Sequence, residues 1–386
     1  MTRRGAAARL ALYFAALFGA IGIQMPFWPL WLASRGLTPA QIGLAAAAIY
    51  LGRMMFSPLI GTVADRRGDR KRPLIVLSMA AALAYLLFAA THSLLAILAV
   101  SVLTAGLWGG LIPVGDSLAL TACSRWHLDY GRVRLWGSAA FIAMATLTGR
   151  LLGAWGPSAL VWMIAGAFAV TAAACLPLPD LKTATERARR LPLRPLLTNR
   201  LFLTFLAWAA LNQAAHALYY AFATLHWHRA GLSDDTIGLL WSEGVVAEIL
   251  LFSVSGPVVR RLGPAGLLMA AGLGGAVRWT LLGLTTDLPV LIVAQLLHAA
   301  TFGCAHLGAM HFLQRGAPAE INARAQSVYA AVASGAAPAL MSPVGGWLYQ
   351  RLGGSAFLIM ALVSLGAMAM AYRLKRHWGG GIIIEG

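Results

Sequence analysis

From Leu10 to Ala33 the chain carries no charged side chain, and a long apolar run closed by a short polar break recurs almost to its end. The runs fall at roughly 10–33, 40–63, 73–91, 94–122, 130–153, 157–177, 199–228, 235–258, 264–285, 288–313, 323–348 and 353–373. About 20 apolar residues wound as a helix cross a hydrocarbon core of ~30 Å, and every run approaches or exceeds that length. A spanning β-barrel would alternate in polarity over segments of about 10 residues. These runs are continuously apolar and rich in Ala, Leu and Gly, so the pattern predicts twelve transmembrane helices. Arg3, Arg4 and Arg9 before the first run resemble the start of a signal peptide, but the run from Leu10 is too long for one and is read as the first span.

Composition agrees. The chain is 59% hydrophobic and 11% charged, with a mean hydropathy of +0.73, against roughly 45–50% apolar residues in soluble domains. A formal net charge of +17 would point to nucleic acid in a soluble protein. Here most of the 30 Lys and Arg cluster in alternate breaks: 3–9, 66–72, 125–134, 182–200, 260–261, 315, 324 and the C-terminus. The positive-inside rule therefore places both termini in the cytoplasm of a multi-pass protein of the bacterial inner (plasma) membrane, with the lipid bilayer as its surroundings and no nucleic acid partner. Cys123, Cys175 and Cys304 are scattered in or beside spans, form no metal motif or disulfide framework, and read as apolar fillers.

The polar stretch LPLPDLKTATERARRLPLRP divides the chain into a six-helix half, 1–177, a cytoplasmic linker, 178–198, and a second half, 199–386. An offset of 195 pairs GLTPAQIGL at 36–44 with GLSDDTIGL at 231–239, and then Gly61 with Gly256 and Gly68 with Gly263. Two parallel repeats of six helices predict a transporter with its substrate site near the midplane between the halves. The break after the second span, GTVADRRGDRKRP, resembles the signature loop of the major facilitator superfamily at Gly61, Asp65, Arg66, Gly68, Arg70 and Lys71. That resemblance implies an all-α membrane protein with the twelve-helix major facilitator fold, and a gating role for the loop. The second copy, GPVVRRLG, has Arg260 where the first has Asp65.

A charged side chain at the bilayer centre costs roughly 2.5–3.5 kcal/mol on insertion scales, so Arg53, Asp116, Arg134, Glu243, Glu248 and Arg278, all within spans, are candidates for function. Helical rise puts Asp116 and Arg134 at similar depth in adjacent spans, either as a structural ion pair or as a substrate clamp. Glu248, Arg278 and His298 lie on three neighbouring spans, with Glu243 one and a half turns from Glu248. An acid, an arginine and a histidine so placed can pass a proton. His216, Tyr219 and Tyr220 share one helical face and either line a cavity or pack between helices; Gln24 is equally open. His298, His306 and His311 offer no i, i+4 pair, so no metal is expected.

DYGRVRLWGS at 129–138 and MPFWPLWL at 25–32 resemble the lactose permease group of proton symporters. There the second arginine of a GRxR motif and an acid in the fourth span help hold substrate, which implies those roles for Arg134 and Asp116. Thr301 stands where that group has a proton-binding carboxylate, leaving Glu248 as the expected proton carrier. QAAHALYYAFATLHW, GVVAEILLFS, VRW and LIVAQLLHAATFG in the second half resemble the 3-phenylpropionate (aromatic acid) permease branch of the same superfamily. That resemblance implies proton-coupled uptake of an arylpropionate-like anion by a monomer, with Arg278, His298 and the two glutamates coupling the proton. A sugar or nucleoside symporter, a drug or metabolite exporter and a non-transporting receptor are the alternatives. HExxH, GxSxG and a Gly-Lys phosphate loop are all missing from the sequence, so no enzyme and no cofactor are expected.

Overall fold

The computed structural model describes residues 1–181 and 194–383, in which every regular element is a helix. The expected gating residue Asp65 has its side chain outside the described residues, as does most of the predicted linker. Transmembrane helices cover the predicted runs: α1 Arg3–Ser34, α2 Pro39–Arg67, α3 Lys71–Ala90, α4 Leu94–Trp126, α5 Tyr130–Trp155, α6 Pro157–Cys175, α7 Arg200–Arg229, α8 Asp234–Ser253, α9 Ser255–Leu284 and α10 Leu288–Gly316. The last helical segment, Ile321–His377, has 57 residues and is divided by a 3-10 turn at Gly353–Ser355, where Gly353 takes φ 56°. It therefore holds two spans, α11 over 319–352 and α12 Ala356–His377. Twelve spans result among the described residues.

In lipid each backbone polar group needs an internal partner, and the helix starts show how the sequence supplies one. Thr2, Ser93, Asp129 and Asn199 each accept a backbone N–H of the first turn of α1, α4, α5 and α7. Two boundaries differ from the hydropathy reading. The predicted gating loop is mostly helix: α2 continues through Gly61 and Arg66 to Arg67, and Gly68 at φ 63° makes the stop. Arg66 and Arg67 lie in the last turn, where cations oppose the negative end of the helix dipole, so the polarity that suggested a loop is compatible with helix. Helical backbone likewise runs past residue 258 to Gly263, whose φ of 66° and ψ of 170° break α9 internally before Pro264 restarts it.

The described chain forms two compact units, residues 1–181 with 231–242, and 194–230 with 243–383. In the first, α1 packs along α5 and α6, α3 along α4 and α6, and α2 along α4. A Cβ on Gly22 would meet the Phe141 carbonyl oxygen at 2.7 Å, so α1 and α5 touch backbone to backbone. Trp28, Trp31, Tyr85, Phe88 and Phe168 form an aromatic core beside them, with Trp28 and Trp31 stacked at 4.6 Å. The start of α8 also belongs to this unit: Thr146 and Ser242 share a hydrogen bond of 3.0 Å, and Arg150 pairs with Asp235 at 3.0 Å.

In the second unit α7 packs along α11 and α12, and α9 along α10 and α12. The pairings α1 with α5 and α6, and α3 with α6, thus recur six helices later, as the sequence repeat requires. Gly272 on α9 faces the Met368 backbone on α12, where a Cβ would sit 2.8 Å away. Phe205 and Phe312 stack at 4.4 Å in the core. Cys123, Cys175 and Cys304 are buried free thiols.

Candidate functional site

The second unit holds a polar cluster in an otherwise apolar interior. Arg278 on α9 has no exposed surface. Its guanidinium carries five donors and cannot shed its charge, so acceptors must be brought to it. One Nη2 donates to Gln295 Oε1 at 2.6 Å; Nη1 donates to Thr301 Oγ1 at 3.0 Å and lies 3.1 Å from His298 Nδ1. All three partners sit on α10, at successive turns of one face. Residues 299–304 of α10 are wound as a π-helix, a local widening often associated with functional sites. Tyr219 and Trp279 enclose the guanidinium, with ring centroids 4.4 and 4.9 Å from Cζ, a desolvated cation–π arrangement. Gln295 Nε2 donates to the Tyr219 hydroxyl at 2.9 Å, and Trp279 Nε1 to Ser364 at 3.0 Å, which fixes both rings.

The contact with Arg278 settles the tautomer of His298. A guanidinium N–H only donates, so Nδ1 must present its lone pair and the ring proton resides on Nε2. Nε2 is 3.7 Å from Glu248 Oε2 on α8, too long for a good hydrogen bond but within ion-pair reach. His298 as placed is therefore neutral. A second proton on Nδ1 would displace Arg278, whereas a proton on Glu248 would not.

His216 on α7 is buried, with Nδ1 2.8 Å from the Asn212 carbonyl and its ring edge-on to Trp279 at 5.2 Å. Since the carbonyl accepts, Nδ1 carries the proton, and the Nε2 lone pair has no partner among the described residues. His216 and Tyr219 thus pack around Arg278, while Tyr220 is half-buried beside them, 5.5 Å from Tyr219. Glu243 is half-buried on α8. His306 stacks on Phe302 at 6.4 Å, and His311 bonds the Leu307 carbonyl.

In the first unit, Asp116 on α4 and Arg134 on α5 are both half-buried. Among the described residues they form no salt bridge. Instead the Tyr130 hydroxyl donates to Asp116 Oδ1 at 2.9 Å, and the Arg134 guanidinium lies over the Phe18 ring at 3.6 Å, with Phe14 5.3 Å away. The even spacing that suggested a direct pair measured depth only. Tyr130, at the start of α5, intercepts the carboxylate. Arg53 faces Trp108 at 4.8 Å, and Gln24 is buried in α1. Gly61 lies inside α2, Arg66 is exposed at its end, Gly68 makes the turn and Arg70 precedes α3.

Sequence reasoning passed over Gln295, Trp279, Tyr130 and Phe18. Gln295 gave one signal, an amide in an apolar run one turn before His298. Tyr130 lies directly beside the GRVR motif.

Comparison with known proteins shows the family and the fold. The model of a family described as MFS_1 like matches residues 8–360. The probable 3-phenylpropionic acid transporter of Escherichia coli (strain K12) is 37% identical over 365 residues, covering 93% of this chain and 95% of that protein. A maltose permease of Geobacillus stearothermophilus is 26% identical over 380 residues, covering 97% and 96%. Among solved structures, the nucleoside transporter NupG superposes with a TM-score of 0.85 at 16% identity, covering 96% of this chain and 99% of that one, a likeness of fold.

Proposed function

Because the chain belongs to the MFS_1-like family, we propose that this secondary transporter of the major facilitator type takes up a small aromatic carboxylate, of the arylpropionate kind, together with a proton. It acts as a monomer by alternating access. Homologues and fold are those of transporters, not enzymes. The observation that carries the coupled reading is His298, fixed as a neutral imidazole between a permanently charged Arg278 and the carboxylate of Glu248. Glu248 is then the group that takes the proton: it titrates without breaking the Arg278 cluster. The relative whose printed name gives 3-phenylpropionic acid supports the substrate class. Arg134 supports it chemically, because it makes no salt bridge with Asp116 and offers a cation for a carboxylate, with Phe14 and Phe18 beside it for a ring.

The test is uptake of labelled 3-phenylpropionate, a galactoside and a nucleoside, each in turn, into proteoliposomes with and without a pH gradient, since one carboxylate carried with one proton moves no net charge. The expected response is accumulation of the aromatic acid alone, driven by the pH gradient. Glu248→Gln keeps substrate counterflow and loses proton-driven accumulation. A response only to sugar or nucleoside removes the substrate assignment, and accumulation by Glu248→Gln removes Glu248 as the carrier.

A further inference from the structure

A concave feature lies in the first unit, and neither Arg134 nor Asp116 lines it. It is a groove of about 610 Å³ between the first four turns of α1 and the beginning of α5. Arg3 and Arg132 line it together with Asp129, and its walls are the α1 alanines, Leu12, Val133 and Trp136. Leu12, 51% exposed, and Trp136, 60% exposed, point away from the packed interior, while Val133 is buried at the floor of the groove.

Its dimensions match one leaflet. Arg3 and Tyr130 begin their helices, so Arg3 and Arg132, in the first turn of α5, lie at headgroup depth. From Arg3 to Ala15 the groove follows α1 for roughly 18 Å at about 1.5 Å per residue, close to half of the roughly 40–45 Å that a bilayer spans with its headgroups. Trp136 sits near the interface, where an indole is favoured. The alanines leave a channel that larger side chains would fill. At the mouth the two guanidiniums outnumber the single carboxylate, and that carboxylate is occupied, since Asp129 Oδ1 accepts the Arg132 backbone N–H at 3.0 Å. A cationic mouth above an apolar channel of acyl-chain depth is complementary to an amphiphilic anion embedded in the bilayer.

We infer that this groove is a binding site for an anionic phospholipid, whose phosphate is met by Arg3 and Arg132 and one of whose acyl chains runs along the alanine face of α1 past Leu12 and Trp136. A zwitterionic lipid offers the same chains without the net charge, so the site distinguishes the two by headgroup, by roughly fivefold for each uncompensated cation. The binding does not involve the residues assigned to substrate or proton, and stands or falls independently of the transport reading.

The test uses the full-length protein in vesicles of phosphatidylcholine containing a small fraction of lipid brominated on its acyl chains, either phosphatidylglycerol or phosphatidylcholine. Trp136 fluorescence is isolated as the difference between the wild type and Trp136→Phe. The expected result is quenching at about fivefold lower brominated phosphatidylglycerol than brominated phosphatidylcholine. The preference disappears in R3Q/R132Q and also in Ala11→Phe, which fills the channel and keeps both charges. Equal quenching by the two lipids, or a preference that survives R3Q/R132Q, overturns the site. Quenching that is lost as protein density rises puts a second copy of the chain in the groove and overturns it as well.

Discussion

A guanidinium with no exposed surface must find its acceptors within the protein, and Arg278 finds a side-chain amide, a hydroxyl and an imidazole instead of a carboxylate. Gln295 makes the shortest of these bonds and also holds Tyr219, so two helices depend on one amide. Replacing it by leucine strands a buried charged donor, at a cost of roughly 1–3 kcal/mol or more. Gln295→Leu is therefore expected to lower the midpoint of thermal unfolding in detergent by several degrees and to reduce transport strongly. Gln295→Glu restores an acceptor and should recover stability, but it sets an acid beside Arg278 and should shift the pH profile of transport. An unshifted profile in a stable Gln295→Glu protein would make Gln295 a packing residue only. This explains what was legible. Charge in an apolar run marks Arg278, Glu248 and Asp116 from the sequence alone, because the bilayer makes charge costly. A neutral amide carries no such mark. Its importance depends on Tyr219, 76 residues away, and only the fold brings the two together. Tyr130 was missed for the same reason: depth along a helix can be counted, but the direction of a side chain cannot.

Helices in lipid gain little from burying apolar surface against one another, so close approach and van der Waals fit carry the association. The α9 and α12 contact shows it, with Gly272 against the Met368 backbone at a distance that admits no further carbon. Gly272→Val is expected to destabilise the second unit by about 1–3 kcal/mol. Gly366→Ala, on the same α12, meets only Leu211 at an ordinary 3.6 Å and should be neutral. Fluorescence-detected size exclusion after a temperature ramp separates the two; equal stability of both variants would contradict the packing. At this scale hydropathy located every span, most ends to within a few residues, but set the starts of α1 and α9 too late. It did not find the continuation of α2 through Gly61, because basic residues suit a helix end as well as a loop. Nor did it find the π-helical stretches Ala299–Cys304 and Val332–Ala336, since an extra residue in a turn leaves an apolar pattern unchanged.

For the molecule as a whole, the repeat seen as a 195-residue offset reappears as shared helix pairings in the two units, so duplication was legible both in sequence and in packing. The assignment of residues 231–242 to the first unit was not, because it rests on contacts such as Arg150 with Asp235 that no repeat encodes. The distribution of Lys and Arg predicts cytoplasmic termini. Green fluorescent protein fused to either end should fluoresce, and alkaline phosphatase at either end should be inactive; the reverse pattern would invert the topology. The buried state of Cys123, Cys175 and Cys304 has a practical consequence. Membrane-impermeant maleimides have no native thiol within easy reach, so a cysteine placed on any helix face reports its own exposure to water. The natural chain thus serves as its own silent background, and the opening and closing of each face during a turnover can be timed without first removing the native thiols.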